Sequence, residues 1–199
     1  MNQSDHSLRL GQLGSWQLGV FSAAIAERLF PNYALFARLT DTGDAPLMRQ
    51  ALDKVWDRLA NRGGKVNFDT QLERVDGQIP DPEAFDMFGV YPALDAAVAL
   101  YGALNQMVEA SAEEAQNLSE LALTGVETYL EITADVDLSD EELVRHINTH
   151  PLMEQEREFQ ETLLAKLNAA AKAEAGLVDE LRTLAANEGV SNIGISDQP

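Results

Sequence analysis

The chain has no cysteine. That removes disulfides, thiolate metal sites, iron–sulfur ligation and thiol nucleophiles together, and it fits a reducing compartment. Histidine is nearly as scarce, with three residues, His6, His146 and His150. Positive charge is short as well: 14 Lys and Arg stand against 33 Asp and Glu, a net charge of −19. The imbalance sits in the second half, where residues 100–199 carry 5 basic and 20 acidic side chains. Such a field repels phosphate backbones and anionic lipid, so neither nucleic acid nor a membrane surface is expected as a partner. No apolar run approaches the roughly 20 residues of a spanning helix; Glu27 with Arg28, and Asp95, interrupt the two longest. The first ten residues lack a basic patch followed by an apolar core, so no secretory signal is expected and the cytoplasm is the expected location.

Catalytic signatures are missing too. Gly64 and Lys65 are followed by Val66, and Leu59 stands where a phosphate-binding loop needs its first glycine. There is no G-x-G-x-x-G and no G-x-S-x-G nucleophile elbow. A di-iron bundle needs Glu-x-x-His, but Gln3, Leu143 and Ile147 occupy the positions three before the histidines. His146 and His150 are four apart, yet Pro151 breaks the helix that would align them. His150 is therefore expected at a helix boundary. No cofactor and no metal is expected.

What the chain does contain is helix punctuation. At 199 residues and 45% hydrophobic it can bury a core without staples. Residues 16–30 form an apolar stretch closed by Pro31, with a shorter helix expected over 32–39. Asp44 can cap a helix carrying Pro46 in its first turn and Met48, Leu52, Val55 and Leu59 on one stripe. Asn67 or Asp69 starts a short helix, and a long helix is expected from Pro92. Ser111 with Glu114, and Ser139 with Glu142, have capping-box spacing. Pro151 opens an expected long C-terminal helix through Leu184, with Gly176 as a bend. The reading is all-α: one up-and-down helical bundle over residues 1–199, with short connecting helices, a hinge at 133–138 and a short extended tail at 190–199.

Four stretches in order are also familiar: residues 28–33 (RLFPNY), 65–73 (KVNFDTQLE), 85–96 (FDMFGVYPALDA) and 191–195 (SNIGI). They resemble the YjaG-like family of uncharacterised bacterial proteins, over nearly the whole chain. The resemblance implies a cytoplasmic, mainly helical bundle and carries no activity or catalytic residue with it.

One residue stands apart. The helix from Pro92 is apolar on every side except at Asp95. A helix without a polar face is buried, and a buried carboxylate needs a partner or a shifted pKa. Asp95 near the helix start could be held by free N–H groups and the helix dipole, or pair with Arg28 or Lys65. Alternatively it belongs to a polar pocket with Glu27, Asn67, Asp69 and Tyr91, if the helices starting near Trp16, Asn67 and Pro92 meet at one end. Two functions follow: a non-enzymatic module for a protein partner or self-association, favoured by the missing catalytic sets, or a carboxylate-based enzyme or small-ligand or metal binder near Asp95.

Overall fold

A computed structural model describes residues 3–134, 137–170 and 172–196. Its α-helices are α1 (Gln3–Gly11), α2 (Ser15–Thr40), α3 (Ala45–Leu59), α4 (Phe68–Asp76), α5 (Val90–Val108), α6 (Ala112–Thr133), α7 (Asp140–Thr149), α8 (Pro151–Ala169) and α9 (Ala175–Ala186). No strand forms among the described residues; the tail makes one antiparallel bridge, Val190 to Ser196. The protein is all-α.

Helix α2 runs through the middle. Its sequence is apolar around the whole circumference, so 18 of its 26 residues are buried and it must be covered from all sides. α5 packs along it most extensively, with α3, α6, α9 and α8 completing the shell. Pro31 does not end this helix; the turn continues to Thr40. Pro31 removes one backbone donor within a helix, a cost set against burial of Asn32, Tyr33 and Phe36 on the following turn. The Tyr33 hydroxyl then donates to the Gln78 carbonyl at 3.0 Å.

The caps follow the sequence, with one substitution of partner. Asp44 accepts from Leu47 N–H at 2.8 Å and Asn67 from Thr70 N–H at 3.2 Å. Ser139 and Glu142 form the reciprocal box. Ser111 accepts from Glu114 N–H, but Glu114 does not reach back. Gln106 does that instead, accepting from Ser111 N–H at 2.9 Å and donating to its carbonyl at 2.7 Å. This locks the α5–α6 turn, so the two helices run as an antiparallel hairpin.

The long C-terminal helix is two helices. α8 stops at Ala169 and α9 starts at Ala175, one residue before Gly176. The break lets α9 fold back on α2 and α3, which one straight rod could not do. The expected hinge at 133–138 includes residues 135–136, outside the described residues, as are 197–199 of the tail.

The family stretches do identifiable work. Arg28 donates to the fully buried Glu156 at 2.7 Å. Asn32 donates to Asn192 Oδ1 at 3.2 Å, and Asn192 donates to the Ala122 carbonyl at 3.1 Å. The buried Asn192 therefore ties α2 to α6 from the tail. Ser191 holds that tail turn closed by accepting from Ile195 N–H at 3.1 Å.

Candidate functional site

Asp95 lies on α5, facing Gly125 of α6 across the hairpin. Its Oδ2 is 3.2 Å from where a Gly125 side chain would begin, and the Asn192 amide is 3.7 Å from that point. Glycine there leaves the carboxylate room. A cleft of about 170 Å³ opens between the helices, bounded by Phe88, Tyr91 and Pro92 on one side and Leu121, Thr124 and Thr128 on the other.

Among the described residues Asp95 has no hydrogen-bond or ion-pair partner. Arg28, one expected partner, is taken by Glu156. Lys65, the other, lines a different groove. Helix-terminal capping does not serve either. α5 begins at Val90, two residues before Pro92, and its first N–H groups are already spent: Val90 on Met87, Tyr91 on Phe88 and Ala93 on Gly89. Burial without compensation pushes the Asp95 carboxyl up to about 6.

The five-residue pocket does not form. Tyr91 and Asp95 share the cleft. Asn67 and Asp69 line a separate groove of about 490 Å³ with Met107 and Val108. Met107 is twelve residues along α5 from Asp95, about 18 Å at 1.5 Å per residue. Asn67 is occupied as the cap of α4, and Asp69 is exposed in its first turn. Glu27 is spoken for as well. It receives both terminal nitrogens of Arg49 at 2.7 Å and Trp56 Nε1 at 2.7 Å, with Arg182 at 3.8 Å. The helices do meet, but they meet side by side, so residues near their starts lie at different heights.

A second polar line was not legible in the sequence because His6 stands more than a hundred residues from its other members. Ser119 Oγ is 3.2 Å from His6 Nε2, and His6 Nδ1 is 3.3 Å from Glu161 Oε1. The order copies a serine nucleophile, a histidine and an orienting acid. The protons run the wrong way. Gln160 Nε2 donates to Ser119 O and Glu156, which fixes its Oε1 as acceptor of the Ser119 proton at 2.6 Å. The Ser119 proton is thus committed to Gln160 and not to His6, so His6 does not stand as its base. Ser119 and His6 are both buried; burial holds the His6 imidazole below its ordinary value. This line pins α1 to α6 and α8. His150 accepts from Leu152 N–H at 3.2 Å as the cap of α8, with its ring edge-on to His146. No cluster of three or more metal-ligating side chains occurs among the described residues.

Charge around the cleft is of one sign in the sequence that builds it. Between Arg74 and Arg145 the chain has sixteen Asp and Glu and not one Lys, Arg or His. Both walls, α5 and α6, come from this stretch, so neither can supply Asp95 with a counterion.

A family model described as a protein of unknown function, DUF416, matches residues 5–196. The chain belongs to the DUF416 family. It is 38% identical over 201 residues to the uncharacterized protein YjaG of Salmonella typhimurium, covering 100% of both chains. With YjaG of Escherichia coli K12 it shares 39% over 198 residues, 98% of each. The crystal structure of a DUF416 family protein from Shewanella baltica superimposes with a TM-score of 0.87 at 38% identity, covering 96% of this chain and 97% of that one. Residues 28–33, 85–96 and 191–195, three of the stretches that resemble the family, converge around Gly125 through Asn32, Asp95 and Asn192.

Among the described residues no helix is long and apolar enough to cross a membrane.

Proposed function

We propose that this chain is a non-enzymatic interaction module that docks a basic segment of a partner protein on the outer face of the α5–α6 hairpin. The supporting observation is the partnerless Asp95 in a cleft framed by exposed apolar side chains. Tyr91 is 52% exposed and Val98, one turn beyond Asp95, is 37% exposed. Ile132, one turn beyond Thr128 on α6, is 59% exposed. Apolar anchors around one polar anchor are how interface centres are built. The one-signed charge of both helices makes a basic segment the complementary occupant.

The cleft volume bears on the alternative. Sites that bury drug-sized molecules start at about 300 Å³; about 170 Å³ suits one side chain of a larger partner. Acid–base catalysis at Asp95 draws support from its pKa near 6, but the cleft lining holds one carboxylate and no histidine or second acid to complete a pair.

Site-specific photocrosslinking in cells tests the docking face. A crosslinker at Val98 or Ile132 is expected to give discrete protein adducts. Leu8 and Leu39, exposed on α1 and α2, serve as controls. Adducts equal in number and identity at all four positions would sink the proposal, as would none at Val98 and Ile132.

A further inference from the structure

Resting on the docking face proposed above, we infer that the Asp95 cleft is a receptor for a single alkylammonium group, the side-chain end of a lysine presented by the partner.

Four features of the cleft select that chemistry. First, it contains one fixed negative charge and nothing of opposite sign lines it. A carboxylate held from water attracts a cation strongly, because the interaction is screened less than at the surface. Second, one carboxylate oxygen is crowded by α6. Oδ2 lies 3.2 Å from the position a Gly125 side chain would take, which leaves little room beside it for the second of the two parallel bonds a guanidinium uses. An ammonium is a point charge with rotatable donors and needs one oxygen. Third, Thr124 and Thr128 line the same wall, and a threonine hydroxyl can accept the remaining ammonium protons. Fourth, the opposite wall is aromatic. The Phe88 and Tyr91 rings there are 6.2 Å apart. Ring faces attract cations, and their apolar edges suit the methylene stem of a lysine.

The backbone behind the cleft is arranged to keep it open. Gly125 leaves Asp95 Oδ2 its space, and the Asn192 amide beside the same glycine donates to the Ala122 carbonyl instead of to the carboxylate. The unpartnered oxygen of buried Asn32 lies one hydrogen bond further in, on the partner of Asn192. The interior supplies what the hairpin needs for its fold and leaves Asp95 unsatisfied.

The test uses the full chain and a defined probe. The carboxyl carbon of Asp95 is followed by NMR across pH, with n-butylammonium, n-butanol or matched sodium chloride added. The ammonium is expected to lower the midpoint of that resonance by about 1, saturably, as an opposite charge at close range does. The alcohol and the salt are expected to leave it in place. A shift of equal size with sodium chloride, or no shift with butylammonium, overturns the inference. Gly125→Ala, which sets a methyl against Oδ2, is expected to abolish the butylammonium response while the helical signal is retained. A response unchanged in that variant also overturns it. The docking face is judged separately: adducts at Val98 without an ammonium response leave the interface standing and remove the lysine site. An ammonium response without adducts does the reverse. With both present, Asp95→Asn is expected to cut the adduct yield at least tenfold; an undiminished yield removes Asp95 from the interface.

Discussion

Glu27 and Asp95 are two carboxylates on the two most buried helices of this bundle, and the protein treats them in opposite ways. Glu27, 8% exposed, accepts two bonds from Arg49 and one from Trp56, with Arg182 close by. Asp95 is turned into a cleft with no partner among the described residues and a carboxyl pushed up to about 6. Both sit where a charge costs free energy. At Glu27 the fold compensates that cost from within; at Asp95 it does not. The Asn192 amide, beside the same glycine as Asp95, donates to the Ala122 carbonyl, and the partner proposed for Asp95 comes from outside.

The contrast is broken most directly at Glu27. Glu27→Ala strips both Arg49 terminal nitrogens of their buried carboxylate, leaving Asp53 on Nε, and buries the Trp56 donor unpaired. Removing one member of such a set costs on the order of 3 kcal/mol. Urea unfolding is expected to show a lower midpoint at unchanged slope. A loss under about 1 kcal/mol would make Glu27 an ordinary surface acid and erase the comparison.

Asp95→Asn is expected to do the reverse and stabilise the protein at pH 7.5. The carboxyl moves from 3.8 to about 6 on folding, about 3 kcal/mol at 1.36 per pH unit. Asp95 is only half-buried, so solvent screening brings the expected gain to roughly 1–2 kcal/mol. A structural carboxylate would lose stability on the same change. A lower melting temperature for the variant at pH 7.5 therefore refutes the functional reading of Asp95.

The pH dependence sharpens the same point. A carboxyl whose folded pKa lies above its unfolded value binds its proton more tightly in the folded chain. Its contribution to stability is present below about pH 4 and lost as pH rises to about 6. The stability difference between Asp95→Asn and the parent is then expected to be near zero at pH 4, to grow through pH 6 and to level off above it. A difference that is flat across that range dissociates Asp95 from its burial.

How much of this could be read from the chain follows from distance along it. Caps at Asp44, Asn67 and Ser139 depend on neighbours within three residues, and they were legible. So was the odd position of Asp95, because one carboxylate on an otherwise apolar helix is a local fact. Pro31 misled, since what carries α2 past it is burial against helices distant in sequence. The single C-terminal rod misled for the same reason: the fold-back of α9 onto α2 is a tertiary event with only Gly176 to signal it. The five-residue pocket failed because helix starts close in a diagram need not be level in a bundle. Nothing local told Glu27 from Asp95. Their difference lies in Arg49, Trp56 and Arg182, which the fold brings to one and withholds from the other.

Arg182 gives the finest test of that difference. It lies 3.8 Å from Glu27, stacks its guanidinium 6.0 Å from the Trp56 ring and also pairs with Asp53. It is 35% exposed, so its charge is largely served by water whether or not Glu27 is present. Arg182→Ala is expected to cost no more than about 0.5–1 kcal/mol, because Arg49 and Trp56 keep both Glu27 oxygens occupied. In a double-mutant cycle with Glu27→Ala the coupling should be correspondingly small. A coupling of about 2 kcal/mol or more would mean that Glu27 is held by a cooperative cage rather than by two sufficient partners. Saturation at Glu27 would then be fragile, and the distance between it and the open carboxylate of Asp95 would be a matter of one arginine.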